Sequence, residues 1–320
     1  MAVQTPSVQP TASSTAVTTR PAPRRRSRTR LTAIRFARNR TALFGLLMLI
    51  LLFLMAYVAP LLYKWSYTDL DFNAFQQPPS ASHWFGTDQT GSDLFAMTAR
   101  GMQKSLVIGL LTGVICTVLA AAVGASAGYF GGWTDRGLMW IVDLLLVMPN
   151  FLIIAVLSPL FQGTTWLVFV VLLAAFSWMI TGRVVRSMTL TLKDREFVKA
   201  AKYMGVPAPV IIFRHILPSM ASMLIIDGTI QVGTAIIGET SLSYFGFGVQ
   251  APDVSLGTVI ATGTPAAPSF PWLFYFPAGC LVLICLSIAF IGDGLRDALD
   301  PNSSRAKARK NRKSQEGPTS

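Results

Sequence analysis

Hydrophobic positions fall into six long runs, at residues 41–63, 105–130, 138–160, 166–181, 220–245 and 272–291. Roughly 20 apolar residues suffice to cross a bilayer as a helix, so the pattern predicts an all-α integral membrane protein with six transmembrane helices. The first run carries no charge. It is too long for the apolar core of a signal peptide, and no small-residue cleavage site follows it, so it reads as a retained span. The charge-free stretch that holds the second run extends to Thr134 and carries Gly109, Gly113, Gly124, Gly128 and Gly132. Glycines four apart share a helix face and let another backbone approach closely.

The polar segments divide the chain. Residues 1–40 form an arm whose first 30 positions are rich in Thr, Ser, Pro and Ala and end in a basic run. Such a composition buries no core, and a disordered arm is expected. Residues 64–104 form a loop with some structure of its own. A short turn follows at 131–136, and 162–165 break the pattern again. Residues 182–218 are a polar block, 246–271 are rich in Gly and Pro with Asp253 as their only charge, and 293–320 form a basic tail. No internal repeat and no heptads are present.

Composition sharpens this picture. Hydrophobic residues make up 52% and charged residues 13% of the 320, about half the charge of a soluble domain. The net charge of +12 would suggest nucleic acid on a soluble chain, but its distribution reads as topology. Of 27 Lys and Arg, 24 lie in the two terminal segments, the 131–137 turn and the 182–218 block; only Lys64, Arg100 and Lys104 lie in the other loops. Basic residues mark the cytoplasmic side, so both termini and the 182–218 block are expected there, with 64–104 extracytoplasmic. Cys116, Cys280 and Cys285, with His83 and His215, have no metal-ligand spacing. No phosphate-binding Gly-Lys-Ser/Thr loop exists, and no room remains for a soluble ATPase domain. Catalysis on this chain is not expected, and the energy for any work comes from an ion gradient or a partner.

Two regions carry candidate chemistry. Asp143, Asp227 and Glu239 fall inside runs, where ionisable groups are costly and usually functional. Asp227, Gln231, Thr234 and Gly238 share one helix face. That face can line a polar translocation path or make interhelical hydrogen bonds. In the 182–218 block, 194–204 has helix-forming composition, Gly205, Val206 and Pro207 end it, and 209–217 form a second short helix stopped by Pro218. Ala200 and Ala201 offer a surface without bulk, fit for a partner's groove. The alternative is an amphipathic interfacial loop.

Within this block, Lys199-Ala200-Ala201 with Gly205, then Arg214-His215-Ile216-Leu217-Pro218, resembles the EAA motif of ABC-importer permeases. The motif's leading glutamate is Lys199 here, and Glu196 lies one turn earlier. His83-Trp84-Phe85-Gly86-Thr87-Asp88 with Gly91 and Asp93, Gly128 to Trp133, Val142-Asp143, Met148-Pro149, Gly238 to Gly246, Gly248-Val249-Gln250 and Gly292 to Pro301 are similar to the dipeptide/oligopeptide/nickel permeases, C-type subunit. The similarity covers residues 35–301.

The resemblance implies a multi-pass subunit of a bacterial cytoplasmic membrane that forms half of a pathway for dipeptides or oligopeptides. A B-type permease would supply the other half, and an extracytoplasmic binding protein would meet Trp84, Phe85, Asp88 and Asp93. ATP-binding subunits would dock on Glu196, Lys199, Ala200, Ala201, Gly205, Val206, Pro207, His215 and Pro218. ATP and Mg²⁺ would sit on those partner subunits, with no cofactor on this chain. Cargo of haem or nickel chelate is a second reading within the same machinery. A gradient-driven secondary transporter using the three membrane acids, and a non-transporting scaffold, are readings of other classes.

Overall fold

In a computed structural model that describes residues 28–161 and 166–299, the chain is built from helices. They are α1 (Arg28–Ala37), α2 (Arg40–Tyr57), α3 (Ala59–Leu62), α4 (Leu94–Phe130), α5 (Gly132–Val147), α6 (Asn150–Leu157), α7 (Trp166–Ala175), α8 (Met179–Leu192), α9 (Glu196–Tyr203), α10 (Ala208–Ile211), α11 (Leu217–Ser219), α12 (Ala221–Tyr244), α13 (Leu256–Gly263) and α14 (Trp272–Leu299). Among the described residues, β structure is limited to isolated bridges between Leu70 and Ser92 and between Thr87 and Asp93. Arg40–Leu62, α4, α12 and α14 are each long and apolar enough to cross a membrane; α5 with Asn150–Leu160, and α7 with α8, bring the number to six as bent pairs.

Both bends fall inside the spans expected at 138–160 and 166–181. The first pair bends by 81° at Met148-Pro149. Proline lacks an N–H and pushes the residue before it out of helical geometry, and Met148 is extended (φ −75°, ψ 133°). The second pair bends by 47° at Phe176, Ser177 and Trp178. Side chains satisfy the carbonyls freed there: Ser177 Oγ donates to Leu173 O at 2.7 Å, Trp178 Nε1 to Ala175 O at 3.0 Å and Asn150 Nδ2 to Phe176 O at 2.8 Å.

The core is built on α4, which packs against α12 on one flank and α8 on another. Its glycines make this possible. A Cβ on Gly109 would lie 2.3 Å from the Ile236 side chain, and one on Gly124 would lie 2.4 Å from the Gly182 carbonyl. Gly132 does not belong to this packing face: it opens α5 at φ +56°, with nothing within 4 Å of an added Cβ, so the turn expected at 131–136 is already helical from residue 132.

Several boundaries move. Residues 28–37 are helical where a disordered arm to residue 40 was expected, and Asn39 then caps α2 through its side chain. The second span starts at Leu94, eleven residues before the apolar run, because Asp93 caps it by accepting from Ala96 N. Helix α8 runs on to Leu192, so 182–192 are helix packed on α4 rather than loop. The sixth span continues to Leu299, held by Gly294 against Ala42 of α2. The Gly/Pro segment 246–271 holds α13, whose Ser255 and Thr258 form a reciprocal capping box. The arm before residue 28, the break at 162–165 and the tail from residue 300 lie outside the described residues.

Candidate functional site

The loop between α8 and α12 folds as a helix–turn–helix against the ends of the long helices. Glu196 stands in the first turn of α9 and Lys202 in its last, as the helix dipole favours. Gly205 N donates to Lys202 O at 3.0 Å and Val206 N to Ala201 O at 3.1 Å, with Gly205 at φ +76°. This paired closure needs a left-handed residue, which glycine adopts without strain. Pro207, extended, then caps α10. A π-helical turn over Ile212–Ile216 follows and ends two positions before Pro218, which has no N–H to continue a regular ladder.

Val198, Ala201, Ile211, Ile212, Ile216 and Met220 are buried together with Ala125 of α4 and Val185 of α8. Lys193 Nζ fixes the loop to α4 by donating to Gly128 O at 3.0 Å. Ala201 is 1% exposed, so it is core of the loop itself and cannot present the small surface expected of it. Ala200 does lie outside, beside Glu196 and Lys199; Lys199 Nζ stands 3.7 Å from Asp194. Val206 and His215 are half-buried, and Gly205, Pro207 and Pro218 are exposed. The exposed apolar side chains were missed from sequence: Phe197, Phe213, Tyr203 (89% exposed) and Met204 (75%). Phe197, Ala200 and Met204 follow an i, i+3, i+7 spacing, which marks one helix face and was the available signal.

The three membrane acids separate. Asp143 is exposed and paired with Arg183 of α8. Asp227 accepts from Thr181 Oγ1 at 2.7 Å, and Gln231 Nε2 donates to Ser177 O at 2.9 Å. These are interhelical hydrogen bonds on the face that also carries Thr234, which is exposed and bonds back to Ile230 O. Glu239 is fully buried and accepts from Ser105 Oγ and Ser243 Oγ, each at 2.7 Å. Sequence spacing thus placed Asp227 and Gln231 together, but not Asp143 or Glu239 with them.

In the loop between α3 and α4, Asp93 is 1% exposed. It accepts from Tyr63 Oη at 2.7 Å and bonds His83 Nδ1 at 2.8 Å. His83 is flanked on its other nitrogen by Asp71 at 3.4 Å and is stacked on Trp65. Burial and this hydrogen bond to Asp93 raise the Tyr63 phenol above its ordinary range. Asp88 closes the turn by accepting from Thr90 N and Ser92 N, and Phe85 stacks on Phe276 at 4.3 Å. Of the four expected contact residues, Asp93 is therefore interior, Phe85 and Asp88 are half-buried, and Trp84 alone is well exposed, at 48%. Nearby, Asp253 faces Lys104 Nζ at 3.0 Å and Arg100 Nη2 at 3.6 Å, so two of the three outlying basic residues have an acidic partner.

Residues 120–305 match the family described as "Binding-protein-dependent transport system inner membrane component", and residues 27–79 match "N-terminal TM domain of oligopeptide transport permease C". The chain is 56% identical over 278 residues to "Oligopeptide transport system permease protein OppC" of Mycobacterium tuberculosis, covering 87% of this chain and 96% of that one. It is 39% identical over 273 residues to a "Putative peptide permease protein" of Brucella suis, covering 85% and 90%. It is 35% identical over 268 residues to the OppC protein of Bacillus subtilis, covering 84% and 88%.

Proposed function

The chain belongs to the family of binding-protein-dependent transport system inner membrane components, and from that premise we propose how it couples peptide passage to ATP. It is an OppC-like permease subunit of an ABC importer for peptides. In this reading a homologous permease completes the pathway, ATP-binding subunits hydrolyse the nucleotide, and a binding protein delivers cargo from outside. Both termini and the α9–α11 loop lie on the cytoplasmic side.

One observation supports the docking role: α9 packs against α10 and the π-helical turn, burying Val198 and Ala201, and leaves Phe197, Ala200, Tyr203 and Met204 uncovered. Apolar side chains clustered on a protruding helix mark a partner surface. Closure of the ATPase pair would push on α9. Because Val198 and Ala201 share one buried cluster with Ile212 and Ile216 of the π-helical turn, Ala125 of α4 and Val185 of α8, and that turn contacts both α9 and α4, the push reaches the spans through packed side chains. Coupling of this kind is reciprocal, so cargo delivery on the outside biases the ATPases inside.

The test is purification from native membranes, followed by uptake of a labelled peptide into proteoliposomes. Stoichiometric ATPase subunits, with uptake that needs ATP and survives a protonophore, are expected. Uptake abolished by a protonophore at constant ATP would favour a gradient-driven transporter instead. Competition by haem or a nickel chelate but not by peptide would reassign the cargo.

A further inference from the structure

Asp227 differs from the other two membrane acids in having no settled partner for its charge. Asp143 is neutralised by Arg183. Glu239 has no exposed surface and is held by two serine hydroxyls. Asp227 is half-buried and receives one hydrogen bond, on Oδ2, from the neutral hydroxyl of Thr181. Among the described residues no Lys, Arg or His pairs with it. An ionised carboxylate inside a membrane bundle without a cation is expensive and points to function.

Its surroundings are supplied by three helices. Helices α8 and α12 both lie on α4, and Asp227 and Gln231 sit where they meet. Thr117 of α4 lies below, so close that a Cβ on Gly228 would stand 2.8 Å from its hydroxyl. Ile180 and Val184 of α8, on either side of Thr181 in the chain, and Ile230 of α12, between Asp227 and Gln231, are exposed apolar side chains. One turn from Asp227, Gln231 donates through Nε2, and its Oε1 receives no hydrogen bond among the described residues. Two acceptors one helical turn apart, one of them charged, match a primary ammonium, which carries three N–H donors and a full positive charge.

We propose that Asp227, with Gln231 Oε1 beside it, is the counter-charge for the N-terminal ammonium of the peptide during its passage. This rests on the peptide-importer reading above. Every unblocked peptide carries that group whatever its side chains, so the site serves a permease that accepts many sequences. A charge-assisted hydrogen bond to this half-buried carboxylate would replace hydration that the ammonium loses inside the bundle.

The test uses the whole importer, with its partner permease, ATPase subunits and binding protein, in proteoliposomes. Trialanine and N-acetyl-trialanine are compared, which removes the ammonium and leaves no lysine to replace it. The quantity read is the ratio of their uptake rates, from which the constant preference of the binding protein cancels between variants. Asp227→Asn keeps an acceptor for Thr181, so it removes the charge without breaking the interhelical bond. The ratio is expected to fall about tenfold in Asp227→Asn and to recover in Asp227→Glu. Equal loss of both peptides, or an unchanged ratio, would overturn the inference and leave Asp227 as an interhelical tie. A wild-type complex that moves neither peptide would overturn the peptide reading itself, and this inference with it.

Discussion

Ser105 and Glu239 are joined by a hydrogen bond of 2.7 Å between two spans, 134 positions apart in the chain. The same Ser105 Oγ accepts from Leu256 N at 3.4 Å, so one serine links the carboxylate to the first residue of α13. Glu239→Ala leaves the hydroxyls of Ser105 and Ser243 without an acceptor in a dry interior. Each such group costs about 1–3 kcal/mol. The purified complex should melt at a clearly lower temperature, while Glu239→Gln, which keeps the shape and one acceptor, should lose less. A Glu239→Ala protein that melts with the wild type would refute the account.

Ala200 and Ala201 are neighbours with opposite fates. Ala201→Asp puts a charge into the core formed with Ala125 and Val185 and should destabilise the α9–α11 loop by several kcal/mol, lowering the amount of folded protein in the membrane. Ala200→Asp changes an exposed position. It should leave the membrane level unaltered and reduce co-purification of the ATPase subunits. Quantitative blotting of membranes and of affinity eluates separates the two; equal behaviour of the variants would contradict the burial assignment.

Gly205 stands at φ +76° with nothing within 4 Å of an added Cβ. The cost of a side chain there is conformational rather than steric, roughly 1–2 kcal/mol for alanine. Gly205→Ala should weaken binding of the ATPase subunits measurably, and Gly205→Asn should weaken it less, because asparagine tolerates left-handed geometry. Binding titrations in detergent would show it, and equal affinities for all three proteins would rule it out.

Tyr63 donates to buried Asp93, and burial followed by that hydrogen bond raises its phenol above 10. In the folded state the proton is retained at pH values where the unfolded chain has lost it. The contribution is therefore complete below about pH 10 and is lost as pH rises through the folded value. Melting curves from pH 8 to pH 11 should show wild-type stability declining at the alkaline end. Tyr63→Phe should be less stable at pH 8, by about 1–3 kcal/mol for the unpaired Asp93 oxygen, with a shallower alkaline decline. An unchanged alkaline slope would contradict this linkage.

The spans were legible because charge-free runs report on solvent, and lipid selects them strongly. Their breaks were not, because a run of apolar residues looks the same whether straight or bent. Pro149 was visible in the sequence, but the bend at Ser177 depends on side chains that reclaim the freed carbonyls. Asp93 was expected at a contact surface because it lies in the external segment that carries the resemblance; an acid directly ahead of Leu94-Phe95-Ala96 is equally an N-cap signal. The helix–turn–helix was legible from Gly205 and Pro207; Pro218, expected to stop the second helix, lies instead within α11 after a π-helical turn. Which alanine faces out depends on the seat offered by Ala125 and Val185, residues distant in sequence.

Helix α4 has 37 residues and no proline, so it runs about 55 Å at 1.5 Å per residue, against roughly 30 Å of hydrocarbon. Asp93 clamps its first turn to the 63–93 loop, Ser105 ties it to α12 and α13, and Gly128 O holds Lys193 at the far end. It is a lever arm with attachments at both ends and a fulcrum between them. Tilting such a rod by about 5° displaces one tip relative to the other by about 5 Å, enough to register a small shift beneath α9 as movement of the opposite loop.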